Sequence, residues 1–474
     1  MKDEIITKLN GGGREIVLTA DTLCKHTLFI GSTGSGKTTS LNALLRGLIA
    51  FRADDKRRKI GLLLFDFKND GTLCKIKKWA HECGRMRDVV DFSGDGHYYI
   101  NPFAEADSSA KVSELVDFLM SAFGDNSGEN VYWTMAFRKR LNTIFNFCLF
   151  RHDSMDFDKF TDSFRDFLDS DKIDEWRDFI SSALPEICRR EAVDKSRKNA
   201  AWAQIKRIAK RLKSDLSEWQ KLDSRTKSNE ISTMTNTLAL LENRTTRNFL
   251  SGKKLLDIGD TAKFGKIVVL TFPATTNQFA AAIVAKLAKA QFYRTIQLRG
   301  DSPDNRIAGI VMDEFPLVAT GGRDISSDSY NLQTMRSKGG FAIAATQGIV
   351  ALDLAIGERE RAHLLANINN LFVFRTSEPE AAKLVEFAAY APPPRPNIGF
   401  NADDTEPREE FTSPENLPQG YAFVKLANGF CTPCAVKLER LFVDVPHRNP
   451  RTEPDVEREC LAGLRDALAR TPRR

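Results

Sequence analysis

Within LFIGSTGSGKTTS (residues 28–40), three glycines, Gly31, Gly34 and Gly36, alternate with Ser32, Thr33 and Ser35, and Lys37, Thr38 and Thr39 follow. The pattern is GxxxxGK[ST] set between an apolar strand-like run and a helix-like one, the context in which this motif cradles phosphates. Glycines let backbone N–H groups close on anionic oxygens, and a helix starting near Lys37 turns its positive end toward them. Lys37 is expected to reach the β- and γ-phosphates and Thr38 to ligate Mg²⁺, with residues 31–39 forming the loop that holds ATP.

A second set lies far downstream. Asp313 and Glu314 close the run GIVMDE, so their carboxylates are expected at the carboxyl edge of a sheet, where ligands of open α/β folds bind. Asp313 would hold Mg²⁺ or its water, and Glu314 would orient and deprotonate an attacking water. Gln347 ends the next strand-like run, FAIAATQ, and is expected near the γ-phosphate as a polar sensor, although a strand-end glutamine is as often a plain polar residue. Arg336, in LQTMRSKGG, reads from spacing alone as a solvated arginine. Asp66 and Lys68 in LLLFDFKND line the nucleotide site, communicate with a neighbour, or sit in a solvated loop. Cys431 and Cys434 form a lone CxxC whose reading is structural, and Cys74, His81 and Cys83 are weaker still as metal ligands.

The elements that must position these groups are short apolar runs: TLFIG, IGLLLFDF, KIVVLTF, AGIVMDE, FAIAATQ and NLFVFRT. Each has the look of a strand buried on both faces. Helix-like segments such as TSLNALLRGLIAF separate several of them, so the expected fold class is α/β with a mainly parallel sheet. The texture changes near residue 104, where strand-like runs give way to helix-like sequence. The expected organisation is a first part of the nucleotide-binding domain over 1–103, an inserted all-helical domain over 104–250, the second part over 251–445, and a polar tail over 446–474. A proline-rich loop is expected at 391–410, and a hairpin in YAFVKLANGFCTPCAVKL.

Composition sets the limits. The 474 residues, 42% apolar, are enough for two or three domains with a sizeable core. Eight cysteines form no disulfide framework, no signal-peptide pattern opens the chain, and no apolar run approaches the roughly 18 to 20 residues a bilayer span needs. The net charge of +6 is unevenly spread, for residues 187–227 hold thirteen Lys or Arg against five Asp or Glu. Lys206, Arg207, Lys210, Arg211 and Lys213 cluster there, as a solvated helix face or as a surface for nucleic acid or an acidic partner.

The order of GSTGSGKTTS, FDFKND with VVDFSGDGHYYINPF after it, the helical insertion, VMDEF, and ATQGIVALDLAIGE running on to NNLFVFRTSEPEAAKLVEFA resembles the coupling ATPases of conjugation and type IV secretion. These are the TraD/TraG-like branch of the FtsK/HerA superfamily. The resemblance covers roughly residues 25–390. It implies a RecA-like motor core with an all-helical domain, assembled as a hexameric ring that spends ATP to move DNA or nucleoprotein. It further implies secretion or conjugation components as partners, while the scattered cysteines and the lack of a signal-peptide pattern set the expected location as cytoplasmic, peripheral to a membrane complex. It gives Arg336 a trans role in the neighbouring subunit's active site, with Arg375 as runner-up. Two departures stand out: coupling proteins of this kind typically begin with membrane-spanning helices, whereas this chain reaches its phosphate loop at Gly31, and FDFKND replaces the usual aspartate-proline-lysine-glycine turn. Two alternatives remain: a nucleotide-switched recruitment module, and a HerA-like cytosolic motor in DNA processing or antiviral defence.

Overall fold

The computed structural model describes residues 4–11, 14–68, 71–104, 108–123, 131–152, 154–193, 199–272, 278–302, 304–322, 327–386, 413–432 and 435–438. Its strands are β1 (Ile5–Gly11), β2 (Arg14–Thr19), β3 (Thr27–Ile30), β4 (Gly61–Asp66), β5 (Val89–Phe92), β6 (Tyr98–Tyr99), β7 (Lys254–Leu255), β8 (Ile267–Thr271), β9 (Ala308–Asp313), β10 (Gly340–Thr346), β11 (Asn370–Val373), β12 (Tyr421–Lys425) and β13 (Val436–Lys437).

A 9-stranded sheet in the order β13-β12-β11-β3-β10-β9-β4-β8-β5 organises the molecule. From β11 to β5 every neighbouring pair is parallel, and β12 and β13 extend one edge as an antiparallel hairpin. Every residue of β3, β4, β8 and β10 is buried, which is why these segments read as continuous apolar runs without alternation. Helices Lys37–Ala50, Thr72–Glu82 and Gln278–Gln297 lie in the connections between parallel strands, as crossover units require. All six strand-like runs of the sequence are strands of this sheet. The β1-β2 hairpin and strand β5 were not anticipated: in the hairpin the buried Ile6, Leu9, Ile16 and Leu18 are interspersed with exposed or half-buried residues, and β5 buries only Phe92, so none of them carries a long apolar run.

Between β6 and β7 the described residues form helices and no strand: Ser109–Phe123, Val131–Arg151, Phe157–Leu168, Ser170–Val193, Asn199–Lys221, Ser224–Glu242 and Arg244–Leu250. The two short strands pair with each other, so the entry and exit of this excursion meet at one neck. Aromatic packing fills its interior, with Phe145 stacked on Phe160 at 4.6 Å and Phe147 on Trp176 at 3.6 Å between ring centroids. One buried ion pair, Arg140 to Glu230 at 2.8 Å, ties two of its helices, and the same guanidinium lies over Trp219. The core continues into the sheet, since Phe249 stands edge-on to Phe92 of β5 at 4.8 Å. No described helix is long and apolar enough to cross a membrane. The proline-rich stretch at 391–410 and the tail at 446–474 lie outside the described residues.

Candidate nucleotide site

Four adjacent strands, β3, β10, β9 and β4, end side by side, and each delivers one part of a site at the same edge. The phosphate loop leaves β3, Gln347 follows β10, Asp313 ends β9 with Glu314 behind it, and Lys68 lies two residues beyond β4. Parallel pairing fixes this convergence: Ala345 sits opposite both Asp313 and Phe29, so three carboxyl ends are held in register.

The loop itself is shaped by its neighbours. Gly31 has φ 156°, and a Cβ there would fall 2.7 Å from the Cβ of Phe374; Gly36, at φ 112°, would put a Cβ 2.9 Å from the Cα of Gly420. Only glycine fits a loop pressed this closely between the segments after β11 and before β12. Backbone bonds pin it: the Gly31 N–H donates to Thr346 O at 3.3 Å, the Ser32 N–H to Arg375 O at 2.7 Å, and the Gly420 N–H to Ser35 O at 2.8 Å. Gly36 then starts helix Lys37–Ala50 with no side-chain cap, so the first N–H groups of that helix are available to an anion.

The Lys37 ammonium is buried and donates to the carbonyls of Gly31 and of Ser32, the latter at 3.0 Å. Its pKa is lowered, chiefly by burial and next by the positive charge of Lys68, against the pull of Asp313 and Glu314. The Thr38 hydroxyl lies 3.5 Å from the Asp313 carboxylate, a loose contact on which a hydroxyl and a carboxylate converge as two oxygen donors, the donor type Mg²⁺ takes. Glu314 sits at φ 70°, a left-handed conformation uncommon for a residue with a side chain. Its carboxylate meets the Lys68 ammonium at 2.6 Å and the Gln347 amide at 3.4 Å. Gln347 also accepts from the Thr33 hydroxyl at 3.3 Å. Lys68, Glu314, Gln347 and Thr33 thus form one chain of contacts across the four strand ends.

Other expected residues fall elsewhere. Arg336 precedes β10 whereas Gln347 follows it, so the length of that strand, about 3.3 Å per residue, stands between Arg336 and the site of its own chain. Its guanidinium meets Asp21 at 3.3 Å and is half exposed. Arg375 is beside the site through its carbonyl, which accepts from both the N–H and the hydroxyl of Ser32. Glu378 was missed: its carboxylate accepts from the Ile349 and Val350 N–H groups at 2.6 and 2.7 Å, capping the helix after Gln347. Nothing local in SEPEA signals that role, which depends on a contact 28 and 29 residues away. Cys434 lies outside the described residues, and among those described no group of His, Cys, Asp or Glu could hold a metal ion. In the basic stretch, Lys206 is paired with Glu191 at 2.7 Å, Trp219 is core, and Arg207, Lys210 and Lys213 are exposed.

A parallel α/β sheet with a glycine phosphate loop after a buried strand, and an acidic pair ending a strand one place removed, defines the P-loop nucleoside triphosphatase fold. Within that class, residues 153–388 match the type IV secretion-system coupling protein DNA-binding domain. The solved structure of the bacterial conjugative coupling protein TrwBdeltaN70 is similar over 94% of this chain and 92% of its own, with TM-score 0.59 and 15% identity. TrwB in complex with ADP and Mg²⁺ matches with TM-score 0.57 and 13% identity, and TrwB with a non-hydrolysable ATP analogue with TM-score 0.57 and 14% identity, each over 95% of this chain and 91% of the other. At these identities the likeness establishes a shared fold. No curated protein sequence matches the chain.

Proposed function

We propose that this chain is an ATP-hydrolysing motor of the coupling-protein type that moves DNA or nucleoprotein, working as a ring of identical subunits. The observation that carries this reading is the delivery of phosphate loop, acidic pair and glutamine by adjacent strand ends in a chain whose residues 153–388 match a coupling-protein DNA-binding domain. Residues 31–39 would bind the triphosphate through backbone N–H groups, with Lys37 on the β- and γ-phosphates. Thr38 and Asp313 would hold Mg²⁺, which offsets the phosphate charge. Glu314 would take the proton of the attacking water while Gln347 orients it. Because Arg336 lies at the opposite edge of the sheet from the site, its proposed role is in the neighbouring subunit's site. We assign the helical excursion, 104–250, to substrate engagement, and secretion or conjugation components are the proposed partners.

ATP turnover measured with and without single- and double-stranded DNA, alongside the mass of the assembly, tests the reading. DNA-stimulated turnover by an oligomer is expected. Slow hydrolysis indifferent to DNA would point to a nucleotide switch that only recruits a substrate. For the trans role, mixing Arg336→Ala with Glu314→Gln should restore part of the activity each lacks, since some interfaces then pair an intact arginine with an intact glutamate. Mixed rings that stay inactive would remove Arg336 and turn attention to Arg375.

A further inference from the structure

Lys68 is a charged residue at this edge to which the motor reading gives no task. Its backbone is held firmly: Phe67 stacks on Phe272 at 4.9 Å, and Asp66 ends a strand paired on both sides. The side chain, 42% exposed, reaches back over the strand ends to Glu314 at 2.6 Å and Asp313 at 3.4 Å. Burial alone would lower the Lys68 pKa, but contact with Glu314 and Asp313 outweighs it and raises the value. The charge of Lys68 is also felt by Lys37, so two ammonium groups face the same space between the phosphate loop and β9. Lys37 approaches from the loop side, where its partners are loop carbonyls. Lys68 approaches from the acidic side, where its partners are the two carboxylates the reaction needs.

We propose that Lys68 is a sensor of the third phosphate, exchanging the Glu314 carboxylate for a γ-phosphate oxygen when a nucleoside triphosphate binds. The inference rests on the ATP-motor reading above. Its physical basis is competition for one ammonium. While Lys68 holds Glu314, a lone pair of the carboxylate is engaged and the group is a poor acceptor for a proton from water. A terminal phosphate would bring negative charge and hydrogen-bond acceptors that compete for the same ammonium, and charge-assisted contacts to phosphate are among the strong ones. Transfer of Lys68 to that oxygen frees Glu314 toward water, with Gln347 still beside it. A diphosphate offers no such oxygen, so with ADP the lysine stays on the carboxylate. The latch therefore ties the release of the base to the presence of a bond to cleave. A half-exposed ion pair contributes little to folding stability, so its removal should read on the site and not on the fold.

The test compares dissociation constants of the Mg²⁺ complexes of ADP and of a non-hydrolysable imido analogue of ATP, for the full chain and for Lys68→Ala and Lys68→Arg. Lys68→Ala is expected to weaken the analogue about tenfold, the scale of one lost charge-assisted contact, while leaving ADP unchanged within about twofold. Lys68→Arg, which keeps the charge, should recover most of the discrimination. If both nucleotides weaken equally, or neither changes, Lys68 only tethers the carboxylates and the sensor is refuted. An unsubstituted chain that binds neither nucleotide would instead overturn the ATP-motor reading, and would be recognised before any variant is compared.

Discussion

The two edges of the sheet use the same residue types to opposite ends. At the amino edge, Arg85 is 1% exposed and donates to Ile49 O, Ile60 O, Gly265 O and the Asp88 carboxylate at 2.7 to 3.1 Å. Arg306 donates to Lys59 O and Lys56 O at 2.7 and 2.6 Å, and Lys59 meets Asp88 at 2.6 Å. These cations are spent on carbonyls of fixed backbone and on a carboxylate that two of them share. At the carboxyl edge, the contacts of Thr38, Gln347 and Thr33 are 3.3 to 3.5 Å long, the acidic pair is part-exposed, and Glu314 sits in a strained backbone conformation. Saturated short bonds make a staple, whereas the longer contacts of the neutral groups around the acidic pair, beside a half-exposed Lys68–Glu314 pair at 2.6 Å, leave room for a ligand to rearrange them. A buried arginine and a site lysine look alike in sequence; what separates them is which end of a parallel strand they occupy.

The largest expected effects lie at the carboxyl edge and concern rate. Glu314→Gln should keep nucleotide binding and lose about 10² to 10⁴ in turnover, the usual contribution of a general base, whereas Lys37→Ala should lose binding or turnover outright. Steady-state hydrolysis and equilibrium nucleotide titration separate the two. A Glu314→Gln protein with full turnover would end the contrast between the edges, because the acidic pair would then be only another structural pair.

The next effect falls on stability. Arg85→Ala leaves three backbone carbonyls without their buried donor and should cost about 3 kcal/mol in urea unfolding. Lys68→Ala, removing a half-exposed pair, should cost less than about 1 kcal/mol. Equal losses would mean that burial does not divide the edges as described.

A third test uses pH. His26, 2% exposed at the amino edge, has both ring nitrogens engaged, one with Leu332 O at 2.7 Å and the other accepting from the Ala342 N–H at 3.2 Å. That arrangement requires the neutral ring, and burial lowers its pKa to about 4 from 6.5. Below pH 6.5 the unfolded chain takes up a proton that the folded chain refuses. The stability is therefore whole above pH 6.5 and declines as pH falls toward 4, by an amount on the order of 3 kcal/mol from this group. Urea unfolding across that range should show the decline, and His26→Asn should flatten it; a variant with the same acid slope as the unsubstituted chain would show that other groups carry it.

Much of the sheet was legible because strands covered on both faces must be apolar along their whole length, and the phosphate loop because its glycines and lysine are contiguous. The acidic pair was legible from its place at a strand end. What escaped was set by partners distant in sequence. Arg85 binds carbonyls 25, 36 and 180 residues away, Glu378 caps a helix from the next loop, and Lys68 finds its carboxylates 245 residues on in one case. The β1-β2 hairpin, whose buried Ile6, Leu9, Ile16 and Leu18 are interspersed with exposed or half-buried residues, carries no continuous apolar run to mark it. Lys206 shows the same limit in the helices, since its pairing with Glu191 needs two helices to be packed side by side.

The smallest expected effect extends the contrast between spent and available cations to helix Asn199–Lys221. Lys206 is paired with Glu191 at 2.7 Å and Arg211 lies 3.7 Å from Asp215, so both are partly compensated. Arg207, Lys210 and Lys213, three residues apart and therefore neighbours on one broad helix face, are exposed and make no ion pair among the described residues. If this face meets DNA phosphates, affinity should fall steeply with salt, because each neutralised phosphate releases condensed counterions. Replacing Arg207, Lys210 and Lys213 by glutamate should then flatten the plot of log affinity against log salt by about one unit per lost contact. Lys206→Glu alone should alter the slope less, since its charge is already answered within the protein. DNA binding titrated at several salt concentrations distinguishes the cases. An unchanged slope in the triple variant would make the face a solvated one, and equal slope changes from Lys206 and from the exposed residues would show that intramolecular pairing does not decide which cations are available.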